Sequence, residues 1–163
     1  MELAVRDLYR AKWTEEIHLE WMRNLHQRKG IPIEKLERLK NLMNDNVRDC
    51  LVVNYEWIIP NLSLPDLGDR HVLAAAIKAK AGVIVTTNLK DFPKSELEKY
   101  EIEAQHQDVF ISNLIDLYPA EVVGAVRKCH QRRKNPPCTF NDYLNRLQKQ
   151  ELPNTVSTIK GLV

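Results

Sequence analysis

An apolar, β-branched run at residues 83–87, V-I-V-T-T, limits the folds open to this chain more than any other feature of its sequence. The run is apolar on both faces, which is typical of a central strand in a parallel sheet that helices cover on both sides. Segments with helical periodicity precede and follow it, so that strands and helices alternate. The sequence therefore predicts an α/β fold with a parallel sheet flanked by helices.

Local signals place the other elements around this strand. We expect one helix to be capped by Thr14 and to end at Gly30, and a second to have Pro32 near its first turn and one apolar face. A third, R-H-V-L-A-A-A-I-K-A-K-A-G, should close at Gly82, and K-S-E-L-E-K-Y should form a short helix. Further strands are predicted at 8–13, 50–53 and 102–105.

Charge divides the chain into two regions. Residues 1–118 carry 16 basic against 19 acidic side chains, whereas residues 119–163 carry 8 against 3. We therefore predict a mildly acidic main domain over 1–118 and a basic helical C-terminal extension over 119–163, whose last part joins at Pro136-Pro137. A basic segment suits a polyanionic partner, and a solvated cationic helix face explains the same composition equally well.

Composition and motifs narrow the chemistry. No apolar run approaches the ~20 residues that span a bilayer, and the N-terminus has no signal-peptide pattern, so we expect a cytoplasmic protein. Three widely spaced cysteines favour reduced thiols and lack the spacing of a zinc site. Phosphate-binding glycine loops and a G-x-S-x-G elbow are also missing. Any metal should therefore be held by oxygen.

Glu20 is the first candidate site residue. Helical geometry at about 100° per residue predicts that it lies near the middle of the apolar stripe of its helix, on the opposite side from His18 and Met22. A buried glutamate is usually paired or bound to a metal. The alternatives are a metal ligand, a salt bridge to Arg23 or Arg70, or a sidelong exposure at the edge of the sheet.

Asp69 is the second candidate, because it immediately precedes a helix. Its default interpretation is an N-cap whose carboxylate accepts hydrogen bonds from the following backbone N–H groups. Asp66 adds a second acid to the same loop. His71, in the first helical turn, has an acid–base role as one interpretation and a surface or packing role as the more common one.

Asp91 and Asn88 follow the central strand directly, in T-N-L-K-D-F-P. They can close a local turn, and they can also face a ligand. Strand C-termini and helix N-termini of a parallel sheet open onto one crevice, which predicts that Asp69 and Asp91 lie together. Convergent carboxylates repel one another unless a cation joins them, and Mg²⁺ and Mn²⁺ prefer oxygen ligands. The reaction class implied is metal-assisted phosphodiester hydrolysis.

Four segments resemble the PIN-domain family of the VapC toxin type. They are W-T-E-E-I-H-L-E-W-M-R-N-L, L-P-D-L-G-D-R-H-V-L-A-A-A-I, V-I-V-T-T-N-L-K-D-F-P and I-E-A-Q-H-Q-D-V-F, in the family's order. The tail N-P-P-C-T-F-N-D-Y-L-N-R-L is similar to the C-terminal extension of a bacterial subgroup. The resemblance implies a metal-dependent endoribonuclease with a parallel sheet and four site acids.

Three of those acids fall on this sequence by resemblance, and they would hold Mg²⁺ or Mn²⁺. They are Glu20, Asp69 and Asp91, with Asn88, Asp66 and Thr87 in supporting positions. The family's first acid, an aspartate at the end of a central first strand, has no counterpart here, and Asp7 does not replace it. We expect either a longer natural protein or a strand supplied by a partner chain.

The resemblance also implies the partners, which are RNA, a small antitoxin and a second copy of the chain. Seven basic side chains are candidates for phosphate contact: Arg23, Arg70, Arg127, Lys128, Arg132, Arg133 and Lys134. The alternative function is a PIN-like protein that binds RNA or an antitoxin without cleaving, because one metal ligand is missing.

Overall fold

The computed structural model describes residues 1–163, and most of them are helical. Two short strands, β1 and β2, form a parallel pair, which agrees with the α/β class. No helix is both long and apolar enough to cross a membrane. The helices are α1 (Glu2–Val5), α2 (Glu15–Lys29), α3 (Ile33–Asn46), α4 (Arg70–Lys78), α5 (Lys94–Leu97), α6 (Gln107–Leu117), α7 (Pro119–Gln131), α8 (Phe140–Gln148) and α9 (Pro153–Leu162), and the strands are β1 (Val83–Val85) and β2 (Glu103–Gln105).

The residues group into two compact units. The first contains Met1, residues 10–84 and residues 88–104, and the second contains residues 2–9, 85–87 and 105–163. The domain boundary predicted between 118 and 119 falls inside the second unit, and it stays a prediction.

The ends of α2 follow local capping chemistry. Thr14 accepts a hydrogen bond from the backbone N–H of Ile17, and the helix ends at Gly30, whose φ of 62° lies in the left-handed region that glycine favours. Both predictions are confirmed. The predicted closure of α4 at Gly82 is wrong, because α4 ends at Lys78 and Lys80 already has a φ of 52°.

The buried face of α2 is the opposite of the predicted one. His18 and Met22 are buried, whereas Glu20 is exposed. His18 stays inside because both ring nitrogens are hydrogen-bonded, to Asn44 Oδ1 at 3.0 Å and to Trp21 Nε1 at 3.0 Å. Asn44 comes from α3, so that this polar contact joins the two helices.

The predicted apolar face of α3 is only partly used. Leu36 is buried, but Ile33, Leu39 and Leu42 are exposed. The core of the first unit forms instead around α4, whose Leu73 and Ala74 are almost completely buried. Other members of this core are Tyr55, Ile58, Leu62, Ile84, Phe92, Leu97 and Ile102.

The extended segments are shorter than predicted. β1 and β2 lie within two of the predicted strands, but segments 8–13 and 50–53 meet only at a single parallel bridge between Trp13 and Leu51. The start of segment 8–13 does not form a strand, because Asp7 has a positive φ and the Leu8 N–H donates to the Leu3 carbonyl. A larger PIN-like sheet therefore remains a proposal.

The second unit is built by α6–α9, with the helix α1 beside α7. Its core contains Leu114, Ile115, Val122, Leu144, Val156 and Ile159. The prediction that the chain continues as helices beyond Pro136-Pro137 is confirmed by α8 and α9. Thr139 caps α8 through a reciprocal pair of hydrogen bonds with Asp142.

One buried carboxylate fixes the last helix to the rest of the second unit. Asp108, on α6, accepts hydrogen bonds from the backbone N–H groups of Asn154 at 2.9 Å and Thr155 at 2.8 Å, in the first turn of α9. Burial acts to raise the pKa of Asp108, but these hydrogen bonds outweigh it, so that the pKa is lowered. The ionised carboxylate thus caps a helix that lies 46 residues away.

We predict that Asp108→Asn lowers the free energy of unfolding by about 1–3 kcal/mol at neutral pH, because an amide is a weaker acceptor for two buried donors. Urea titration of both proteins over a pH series measures the difference. It should be fully present above the unfolded-state aspartate pKa of about 3.9 and lost as the pH falls through the lower folded-state pKa. Asp116→Asn, an exposed change on the same helix, is the control. Equal losses in both variants would contradict the prediction.

Candidate metal centre

Three carboxylates of the first unit converge. One oxygen from each of Asp66, Asp69 and Asp91 lies within 4.8 Å of the others. Asp66 is exposed, and Asp69 and Asp91 are half-buried. The predicted meeting of Asp69 and Asp91 is therefore seen in the structure, with Asp66 as a third member.

The loop before α4 places two of these acids. Asp66 accepts a hydrogen bond from Gly68 N–H at 2.7 Å, which starts a single 3₁₀ turn over Leu67–Asp69. Asp69 occupies the position before α4, but its side chain makes no capping hydrogen bond. The N-cap interpretation of the Asp69 carboxylate is therefore wrong, and the carboxylate faces the other acids.

Burial and charge repulsion change the titration of Asp69. Burial and then the charges of Asp66 and Asp91 raise the pKa of Asp69, and the more distant charge of Glu20 adds to the effect. A raised carboxyl pKa means that the negative charge on Asp69 is unfavourable in the folded chain. A cation placed among these oxygens would remove that cost.

The turn after β1 places the third acid. Asp91 ends a 3₁₀ turn over Leu89–Asp91, and its backbone N–H bonds to the Asn88 carbonyl at 3.3 Å. The Asn88 side-chain amide donates a hydrogen bond to the Asp91 carboxylate. The local turn and the meeting of the acids thus coexist, because the turn orients the Asp91 carboxylate. Thr87 follows the strand and is exposed.

Glu20 lies outside the group of three acids and has a partner that we did not predict. Its Oε1 lies 3.1 Å from Nε2 of His71, and the alternatives Arg23 and Arg70 are not its partners. Arg70 instead donates to the Leu67 carbonyl at 3.1 Å, and Arg23 is exposed. One feature of the sequence indicates an acidic contact surface on this side of α2. Glu16 and Glu20 are four residues apart and therefore share one face of the helix.

The basic residues of the C-terminal region have unequal environments. Glu2 is buried, and its carboxylate pairs with Lys128 at 2.8 Å and Arg132 at 2.7 Å. Burial acts to raise the pKa of Glu2, but hydrogen bonds from Lys128 and Arg6 and the charge of Arg132 lower it. These two cations therefore pair with a buried acid, which neither the phosphate-contact hypothesis nor the solvated-face alternative predicted.

The remaining three cations of the run are not bound to an acid. Arg127 lies over the ring of Phe140 and Arg133 over the ring of Tyr143, at 6.0 and 5.9 Å from the ring centroids. Lys134 is exposed. All three guanidinium or ammonium groups can still meet a polyanion.

Comparison with known proteins gives two matches. Residues 107–161, which span α6–α9, match the family model described as the VapC50 C-terminal domain. The chain is also 43% identical over 82 residues to a protein of Mycobacterium tuberculosis that is named "Putative ribonuclease VapC50". That match covers 50% of this chain and 48% of the relative, so the chain spans about half the length of the curated relative. No solved structure gives a significant match.

We predict that Asp69→Asn raises the melting temperature of the metal-free chain at pH 7, because it removes one of the converging charges. About 1 kcal/mol of relieved repulsion corresponds to roughly 2–4 °C in a chain of this size. Because the folded-state pKa of Asp69 is raised, the wild type should melt at its full difference below Asp69→Asn when the pH is above that pKa. The difference in melting temperature should disappear as the pH falls towards the unfolded-state pKa of about 3.9. Calorimetric scans over a pH series measure it.

Glu103→Gln, which neutralises an exposed acid on β2 of the same unit, is the control. Its melting temperature should stay near that of the wild type at every pH. A metal-free Asp69→Asn chain that melts below the wild type at pH 7 would show that the Asp69 charge stabilises the fold instead.

Proposed function

We propose, from the premise that this chain is a member of the VapC-type family, that it is a metal-dependent endoribonuclease that hydrolyses RNA phosphodiester bonds. The observation that carries the proposal is the convergence of the Asp66, Asp69 and Asp91 carboxylates within 4.8 Å. Three like charges at this separation are unfavourable without a cation, and the pKa of Asp69 is raised first by burial and then by the charges of Asp66 and Asp91.

The donor set fits a hard divalent ion. All the candidate ligands are carboxylate oxygens. Mg²⁺ and Mn²⁺ prefer such ligands, whereas soft metals prefer thiolates. We assign the ligand roles to Asp69, Asp91 and Glu20, with Asp66 in support. When bound, such an ion lowers the pKa of a coordinated water and neutralises charge on the phosphate.

The other residues of the site act on the ligands. Asn88 donates to the Asp91 carboxylate and so fixes its orientation. The 3₁₀ turn over Leu67–Asp69, held by Arg70 through the Leu67 carbonyl, sets the direction of Asp69. Thr87, at the strand end, is proposed as a supporting polar group for the substrate.

RNA would be recognised through its phosphates. In the second unit we assign this role chiefly to Arg127, Arg133 and Lys134, because Lys128 and Arg132 are paired with Glu2. Arg23 and Arg70 are the candidates in the first unit. A small antitoxin protein and a second copy of the chain are the partners that we propose from the resemblance to the VapC toxin type.

A second candidate function is binding of RNA or an antitoxin without cleavage. One observation favours it: Glu20 is not part of the group of three acids. The family site described above has four acids, and a cation held by three carboxylates can bind phosphate without supporting hydrolysis.

We predict that this chain cleaves a structured RNA in the presence of Mn²⁺. Gel analysis of end-labelled products measures the cleavage. Asp69→Asn and Asp91→Asn should each lower the rate at least about a hundredfold, because the loss of a ligand removes several kcal/mol of transition-state stabilisation. The melting temperature of each variant, measured in parallel, separates lost chemistry from unfolding.

Glu103→Gln is again the matched control, and it should cleave at the wild-type rate. Cleavage that persists in Asp69→Asn preparations would identify a contaminating nuclease and remove the support for the site. A folded wild-type chain that binds RNA but does not cut it with Mn²⁺ or Mg²⁺ would favour the second candidate function.

We predict that Lys134→Ala weakens binding of a single-stranded RNA and reduces the slope of log affinity against log salt by about 0.7, because one phosphate contact is lost. Fluorescence anisotropy over a salt series measures both quantities. Lys149→Ala, an exposed change at the end of α8, is the control. Lys128→Ala should instead lower the melting temperature, since it removes a partner of the buried Glu2 carboxylate. An unchanged salt slope in Lys134→Ala would exclude a phosphate contact there.

A further inference from the structure

His71 occupies an unusual place for a titratable side chain. It lies in the first turn of α4, two residues after Asp69, and only 3% of it is exposed. Buried polar groups of native proteins almost always have a hydrogen-bond partner. The partners of His71 therefore show what this position requires.

The contacts of His71 are with two acids on one face of α2. Nε2 lies 3.1 Å from Glu20 Oε1, within hydrogen-bonding distance. Nδ1 lies 3.5 Å from Glu16 Oε2 and has no hydrogen-bond partner. Tyr55 donates its hydroxyl to Glu16 Oε2 at 3.2 Å, which holds that carboxylate from the other side.

We infer that His71 is a positioning residue for Glu20 in the proposed metal centre, and the inference rests on the proposed function. The Nε2–H group donates to one oxygen of Glu20, which leaves the other oxygen for a cation. The contact joins α2 to α4, the helix that Asp69 precedes. It thus sets how closely the Glu20 carboxylate approaches the three aspartates.

Two physical features make this role more specific than ordinary burial. Carboxylate ligands of metal sites are commonly hydrogen-bonded in turn, and those outer partners tune affinity. Glu20 itself is largely exposed on its side chain, at 48%, so packing alone does not fix its direction. The buried imidazole is the fixed element of the pair, and Glu20 is the exposed one whose direction it sets.

The test compares variants that keep or remove the donor at the Nε2 position. His71→Gln places an amide N–H near that position, and His71→Phe fills the ring volume without a donor. Mn²⁺ affinity is measured on each purified chain from the electron paramagnetic resonance signal of free Mn²⁺. We expect His71→Phe to bind Mn²⁺ about 10–100-fold more weakly, and His71→Gln to stay close to the wild type.

Two further measurements separate positioning from stability. Ile84→Val, a small change in the core of the same unit, should lower the melting temperature and leave Mn²⁺ affinity unchanged. In a Glu20→Ala background, His71→Phe should cause no further loss of affinity, because the histidine acts only through Glu20. If the His71→Phe chain does not fold, His71→Asn replaces it in the test. The shorter amide of His71→Asn lies near the Nδ1 position and therefore places the donor away from Glu20.

The outcomes separate this inference from the proposed function. Tight Mn²⁺ binding by the wild type with equal binding by His71→Phe, or by the folded His71→Asn chain, would overturn the positioning role and leave the metal centre intact. Additive losses in the Glu20→Ala background would also overturn it. A wild-type chain that binds no Mn²⁺ would overturn the metal centre, and the inference with it.

Discussion

Repulsion among converging carboxylates is the constraint around which the candidate site is arranged. Asp66, Asp69 and Asp91 come from a loop before α4 and a turn after β1, and no cation side chain pairs with any of them. Two of them accept a local hydrogen bond that fixes their direction, Asp66 from Gly68 and Asp91 from Asn88. A fold that holds like charges together in this way loses stability at the site, and such losses are typical of sites that bind a ligand.

Helix α2 makes two different polar contacts with neighbouring helices. On its buried face His18 bonds to Asn44 of α3, and on its exposed face Glu20 bonds to His71 of α4. Both contacts use a buried histidine, but only the second lies next to the aspartates. The first explains why a polar side chain occupies the inner face of α2, since its two ring nitrogens are satisfied there. The second explains how an exposed glutamate is held in a defined direction.

In the second unit, buried acids determine which cations remain for a partner. Glu2 binds Lys128 and Arg132, although 130 residues separate Glu2 from Arg132. Asp108 caps α9 and so closes the helical unit that corresponds to the matched C-terminal domain. The basic run is therefore divided into cations that pair with Glu2 and cations that pair with no acid. Composition alone does not distinguish these two groups of basic side chains, whereas the ion pairs in the structure do.

The sequence by itself determined the local features of this protein. The Thr14 cap, the Gly30 helix end, the β-branched strand and the turn at Asn88 and Asp91 depend on residues within a few positions of one another, which is why patterns predicted them. Only the tertiary structure decided the buried face of α2, the pairing of Glu20 with His71 and the caps and ion pairs across the chain. The partners in the Glu20–His71 contact, the Asp108 cap and the Glu2–Arg132 ion pair lie 46 to 130 residues apart, so that packing, and no local preference, selects them.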